Sequence, residues 1–198
     1  MSTIVPRRNT PADRPVLKAW AVFAIPTALW CCFYLPFLIN VPRGDDFLSL
    51  LTFATNWADA DGWGSRWDLL FAQYFSHRIV LTRLTALAVM GAYGHLNLVA
   101  LQAMGMALWL GLAAWFATQA VRRQNSVLAG IPVALLLLQP LGHTNITSAM
   151  QGVQNHGILV LALTACIMVS KVPTATGAAA ALPPPTAGCL PPPIVFLF

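Results

Sequence analysis

From residue 20 to residue 41 the chain runs without one charged side chain. A helix rising about 1.5 Å per residue over that stretch crosses the roughly 30 Å of hydrocarbon in a bilayer. Its Pro26 and Pro36 are better tolerated in a membrane helix than in a soluble one. A second such run covers 96–118, and two shorter ones cover 127–141 and 157–170. Composition agrees. Of 198 residues 58% are hydrophobic and 9% charged, where a soluble domain carries about a quarter charged. The pattern predicts an all-α fold: a polytopic helical membrane protein with about four transmembrane helices, plus interfacial or juxtamembrane helices in the first outer loop.

Basic flanks set the expected orientation. Arg7, Arg8, Arg14 and Lys18 against Asp13 keep the N-terminus in the cytoplasm, Arg122 and Arg123 mark a second inner loop, and Lys171 a third. Parity then requires that 79–94, apolar but interrupted by Arg83, be juxtamembrane or partly embedded rather than a span. The first run is longer than a signal-peptide core and no small-x-small cleavage site follows it, which makes it an uncleaved anchor. The expected organisation is a cytoplasmic segment at 1–18, a transmembrane domain over 19–171 with its outer loop at 42–95, and a tail at 172–198. That tail carries no charge, and its Pro183–Pro185 and Pro191–Pro193 runs block helix formation, so disorder is expected. The net charge of +5 comes from scattered residues, not a basic run, and gives no reason to expect nucleic-acid binding.

The acids are not scattered. There is no Glu, and five of the six aspartates fall in the outer loop: Asp45, Asp46, Asp59, Asp61 and Asp68. Trp63, Trp67, Phe71 and Tyr74 or Phe75 recur at three- to four-residue steps, as on one face of a helix lying in the headgroup layer. These rings either build a site or only anchor the loop. Asp45 and Asp46 follow the first span closely. Adjacent like charges beside a low-dielectric medium raise the proton affinity of one partner, which suits a general base acting on a hydroxyl. The other reading is a pair of solvated acids marking the outer boundary. His77 and Arg78, with Arg83, either hold a phosphate or diphosphate or pair with loop aspartates and snorkel to the interface. In the 143–156 loop, Asn145, Gln151, Gln154, Asn155 and His156 offer uncharged donors and acceptors that suit sugar hydroxyls, or simply a wet loop.

Other chemistries find no pattern. Cys31, Cys32, Cys166 and Cys189 and the four histidines show no ligand spacing, so no metal is expected, and no nucleotide motif or other cofactor signature occurs. Ala103, Ala107 and Gly111 form a small-residue ridge on the second span, expected to pack inside the bundle.

Gly44-Asp45-Asp46-Phe47 after the first span, Ser76-His77-Arg78 followed by Arg83, and the stretch with Gln151 and Gln154 together resemble a known layout. Over about residues 15–170 it is similar to the N-terminal part of GT-C-type glycosyltransferases and of a group of bacterial multi-spanning proteins related to them. The resemblance implies a bacterial inner-membrane protein whose partners are membrane lipids and a polyprenyl-phosphate-linked sugar. It implies Asp45 or Asp46 as catalytic base, Arg78 and Arg83 with His77 on the lipid phosphate, and Gln151, Gln154 and His156 toward sugar or acceptor. Such enzymes carry more spans and an outer soluble domain, so a truncated product, interrupted after Lys171, is expected. The alternative is a non-catalytic small multi-spanning protein or assembly partner. Oligomeric state is left open.

Overall fold

A computed structural model of the chain describes residues 13–171; the expected tail at 172–198 and most of the 1–18 segment lie outside the described residues. All regular structure among them is helical, with one isolated antiparallel bridge between Tyr74 and His77. The chain divides into two compact units after Leu163, inside the last helix, and the buried apolar clusters all lie in the first.

Helix α1 (Asp13–Tyr34) ends in a 3₁₀ turn, Leu35–Phe37, where Pro36 enters. A π-helical turn, Phe47–Leu51, leads into α2 (Thr52–Asp59), followed by α3 (Gly62–Phe71) and α4 (Val80–Tyr93). Then come α5 (Leu98–Gln124), α6 (Gly130–Leu137), α7 (His143–Thr147) and the single turn α8 (Ala149–Gln151). A second π turn, Gly152–His156, joins α8 to α9 (Gly157–Lys171).

Among the described residues, two helices are long and apolar enough to cross a membrane: Leu98–Gln124 and the continuous helical run Ala149–Ser170. Phe23–Phe37 and Val127–Leu137 are shorter apolar helices. The run at 127–141 stops early because Gln139 precedes Pro140 and is forced into extended backbone. At its other end the α5 helix extends past 118 to take Arg122 and Arg123 into its last turn, where their charge meets the negative end of the helix dipole. The last helical run starts at Ala149 rather than 157. The expected wet loop at 143–156 is therefore corrected to α7, α8 and a π turn. Its polar residues sit on helix because partners inside the protein take up their hydrogen bonds.

Helix α5 is the central element, packing on α1, α6, α8 and the second π turn. Its start is capped twice: the Asn97 side chain accepts from Ala100 N (3.1 Å) and Asn40 Oδ1 from Leu98 N (2.8 Å). Leu50, Ile79, Ala86, Leu101 and Val153 form one buried cluster, and Trp30, Tyr34, Met106 and Ile146 another. Backbones approach closely at Gly105, where an added Cβ would stand 2.9 Å from Gly152 Cα. The expected packing ridge is corrected here: Ala103, Ala107 and Gly111 are exposed, and the contacts run through Gly105, Ala113 and Ala117 instead. Helix periodicity predicts that three residues share a face but not which face meets the bundle.

Candidate functional site

Gly44, at φ +51°, turns the chain so that Asp46 N donates to Arg43 O (3.0 Å). The Asp46 side chain closes the same turn, accepting from Arg43 N at 3.2 Å. Ser49, fully buried, donates its hydroxyl to Asp45 O (2.6 Å). Two adjacent aspartates leave this rigid turn in very different settings.

Asp46 is fully buried at 0% exposure. Oδ1 accepts from Ser148 Oγ (3.0 Å) and Met150 N (2.8 Å), while Oδ2 accepts from Ala149 N (3.3 Å) and Arg43 N. The carboxylate thus caps the positive N-terminus of the Ala149–Ser170 run from a distant part of the chain. Four donors on two oxygens leave it no free lone pair for a further partner. Ser148 completes the cap by accepting from Gln151 N at 3.3 Å.

Asp45 is half-buried and accepts one side-chain hydrogen bond, from Gln151 Nε2 at 3.2 Å. Beside it lies Tyr74, 8% exposed, whose hydroxyl has no partner at hydrogen-bonding geometry. Burial raises the pKa of that phenol. The Asp45 carboxylate adds to the rise by its charge and by its contact with the hydroxyl, and Asp46 adds least. At neutral pH Tyr74 therefore keeps its proton and is a donor beside the Asp45 carboxylate.

Tyr74 also lines a cavity of about 320 Å³ with Thr52, Asn56, Gln73 and Arg83. Arg83 is 6% exposed. Its Nη1 donates to Leu70 O (3.1 Å) and to Ala72 O, tying down the end of α3, and its guanidinium sits 5.4 Å over the Phe53 ring. Nε has no partner, and no carboxylate pairs with this cation among the described residues. Burial lowers its pKa. A guanidinium remains charged under such a shift, so the cavity wall carries an uncompensated positive charge.

The sequence-predicted residues separate into distinct places. Asp45 and Gln151 meet, and Arg83 shares a cavity with Tyr74. His77 and Arg78 are exposed; His77 is held by reciprocal backbone bonds with Tyr74 across a tight turn at Phe75 (φ +50°). Neither arginine pairs with the loop aspartates among the described residues. Gln154 is buried with its Oε1 accepting from Thr82 Oγ1 at 3.0 Å, a link between α4 and the π turn. His156 lines a different cavity. On α3, Trp63 is 70% exposed and Trp67 and Phe71 are exposed with it, as is Phe75 beyond the helix, whereas Tyr74 leaves this stripe for the interior. Arg66 lies 5.7 and 5.8 Å from the Trp57 and Trp63 rings.

Reading by residue type missed Tyr74 as a hydroxyl and Ser148 as a cap. The second had a signal: Ser148-Ala149-Met150-Gln151 fits the Ser-x-x-Gln capping pattern. Tyr74 had none, because its role depends on being turned inward at Phe75. Both π turns flank this site, directly after Asp46 and directly after Gln151, the kind of helix distortion often found at functional positions. No protein-family model, curated protein or solved structure matches the chain.

Proposed function

We propose that this chain belongs to a bacterial inner-membrane glycosyltransferase of the GT-C type, crossing the membrane four times with its N-terminus in the cytoplasm. Its donor is a sugar on a polyprenyl phosphate. The observation that carries this reading is the pairing of a carboxylate with free lone pairs, Asp45, with a cavity whose wall holds the uncompensated cation Arg83; Tyr74 borders both. Asp45 takes the proton of an acceptor hydroxyl, and the acceptor oxygen bonds to the anomeric carbon. The bond from that carbon to the phosphate oxygen breaks, and the lipid phosphate leaves as an anion against Arg83. Tyr74 donates a hydrogen bond at the same site, and Gln151 orients the Asp45 carboxylate. Asp46 is a positioning residue. Exposed aromatics on α3 rest in the outer headgroup layer, and the apolar faces of α5 and α9 meet hydrocarbon.

The test is surface-glycan profiling of a deletion strain complemented with the natural gene, Asp45→Asn or Arg83→Met. The natural gene restores a missing glycan and neither variant does, while each accumulates in the membrane normally. A deletion that alters no glycan overturns the reading. A second reading, a non-catalytic assembly partner, is favoured by the exposed Ala103, Ala107 and Gly111 on α5, which suit close approach of another membrane helix. Cysteine cross-linking at Ala107 distinguishes it: an adduct with another protein, together with unchanged glycans in Asp45→Asn, supports the partner role.

A further inference from the structure

A second cavity, of about 370 Å³, shares no lining residue with the one beside Arg83. Its floor is built by stacking. Trp109 on α5 donates its indole N–H to Leu137 O (2.8 Å), a carbonyl in the last turn of α6. On that fixed indole lies the His156 ring, with centroids 4.7 Å apart and planes at 30°.

His156 is 3% exposed, and its Nδ1 is 2.9 Å from Gly105 O. A carbonyl only accepts, so Nδ1 carries the hydrogen. In the neutral ring Nε2 is then a lone-pair acceptor, and it meets no partner among the described residues. The ring that bears it lines the cavity. Polar capacity continues at the rim. Asn155 Nδ2 donates to Asn145 Oδ1 (2.9 Å), which leaves an amide nitrogen on Asn145 and an amide oxygen on Asn155 for a ligand. Gln139 adds one further amide.

The lining also says what does not fit. It contains no Asp, Glu, Lys or Arg, so a charged ligand would lose its hydration without a counter-charge. An acyl chain would suit Leu136, Ile146 and Leu159 but would leave Nε2 buried and unpaired. Several neighbouring groups that each donate and accept satisfy the rim and the floor together, and the volume falls in the range of small-ligand sites.

We propose that this cavity binds a neutral, hydroxyl-rich molecule of monosaccharide size, one hydroxyl donating to His156 Nε2 and adjoining hydroxyls gripped by the Asn145–Asn155 pair. The site does not rest on glycosyl transfer at Asp45.

The test is equilibrium binding to the full-length protein in a zwitterionic detergent, free of the sugar headgroups that would compete. Probes are methyl glucoside, N-acetylglucosamine and myo-inositol, with glucuronate as the charged control, read by saturation-transfer NMR. At least one neutral probe binds saturably and glucuronate does not. His156→Leu and Asn155→Ala each weaken binding at least about tenfold, as expected for a lost hydrogen bond of about 1.4 kcal/mol. Asp45→Asn and Arg83→Met leave it unchanged, which separates this cavity from the Asp45 site. Asn155 is exposed, so its variant keeps the test sound if His156→Leu fails to fold. Failure of every neutral probe to saturate, binding that survives Asn155→Ala, or glucuronate binding as tightly overturns the proposal.

Discussion

The Asp46 carboxylate has a hydrogen-bond donor on every available side, whereas its neighbour Asp45 takes one such bond, from Gln151, with the Tyr74 hydroxyl beside it, and in the cavity that Tyr74 lines the Arg83 Nε has no partner. Asp46 and Arg83 are both buried, and each holds a charge in a low-dielectric setting. The first uses its charge to fasten the start of one helix to the turn after another. The second leaves polar groups short of partners in residues that line a cavity, an arrangement that lowers stability unless something satisfies them. Satisfied burial marks structure here, and the unpartnered groups beside the cavity are the ones that the proposed reading gives to a ligand.

The largest expected effect lies on the satisfied side. Asp46→Ala strips the cap from the Ala149–Ser170 run and orphans three backbone N–H groups, those of Arg43, Ala149 and Met150. A loss of at least about 3 kcal/mol follows, read as a fall in the unfolding midpoint of the detergent-solubilised protein. Asp45→Ala changes that midpoint by less than about 1 kcal/mol. Equal losses for the two aspartates would end the distinction between them.

Next comes the cation. A soluble prenyl phosphate at about a hundred times its dissociation constant stabilises the protein by about 2.7 kcal/mol. In Arg83→Met that stabilisation disappears, whereas Arg78→Met retains it, since Arg78 is exposed and lines neither cavity. Retained stabilisation in Arg83→Met would remove the anion from this cavity.

Gly105→Ala drives a methyl into the Gly152 backbone, 2.9 Å away, and costs about 1–3 kcal/mol by overpacking. Gly111→Ala, where nothing stands within 4 Å of the added carbon, costs nothing and gains slightly in helix propensity. Thermal scans of the two variants side by side check which small residues of α5 face the bundle.

The smallest effect belongs to Tyr74→Phe, which removes a hydroxyl with no partner at hydrogen-bonding geometry and shifts stability by no more than about 0.5 kcal/mol at neutral pH. Its signature is in pH dependence. The folded-state pKa is raised, so the folded protein keeps the phenol proton where the unfolded chain has lost it. The associated stability is complete below the ordinary tyrosine pKa of about 10 and is lost as pH rises through the folded value. Denaturant titrations above about pH 10 show a shallower loss in Tyr74→Phe than in the natural protein.

Helical character and its apolar faces were legible in the sequence. An uncharged run of adequate length has few other ways to satisfy its backbone, which is why α5 stands nearly where the hydropathy placed it. The aromatic stripe of α3 was legible too, because a helix repeats locally and Trp63, Trp67 and Phe71 lie within one element. The end of the stripe was not: Phe75 stays outside and Tyr74 turns inward on a single backbone torsion. The start of the last helical run was hidden by polarity. Gln151, Gln154 and His156 suggest a wet loop until Asp45, Thr82 and Gly105 are seen to take up their hydrogen bonds.

The sequence by itself determined that the chain is helical and apolar, that its acids gather in one loop, and that Asp45 and Asp46 stand out from the rest. It could not tell those two apart, since they share residue type, neighbours and distance from the first helix. Tertiary structure decided between them by bringing Ser148, Ala149 and Met150 onto one carboxylate and Gln151 alone onto the other. The physical reason is that a carboxylate's function depends on which donors occupy its lone pairs, and these donors come from a stretch far away along the chain.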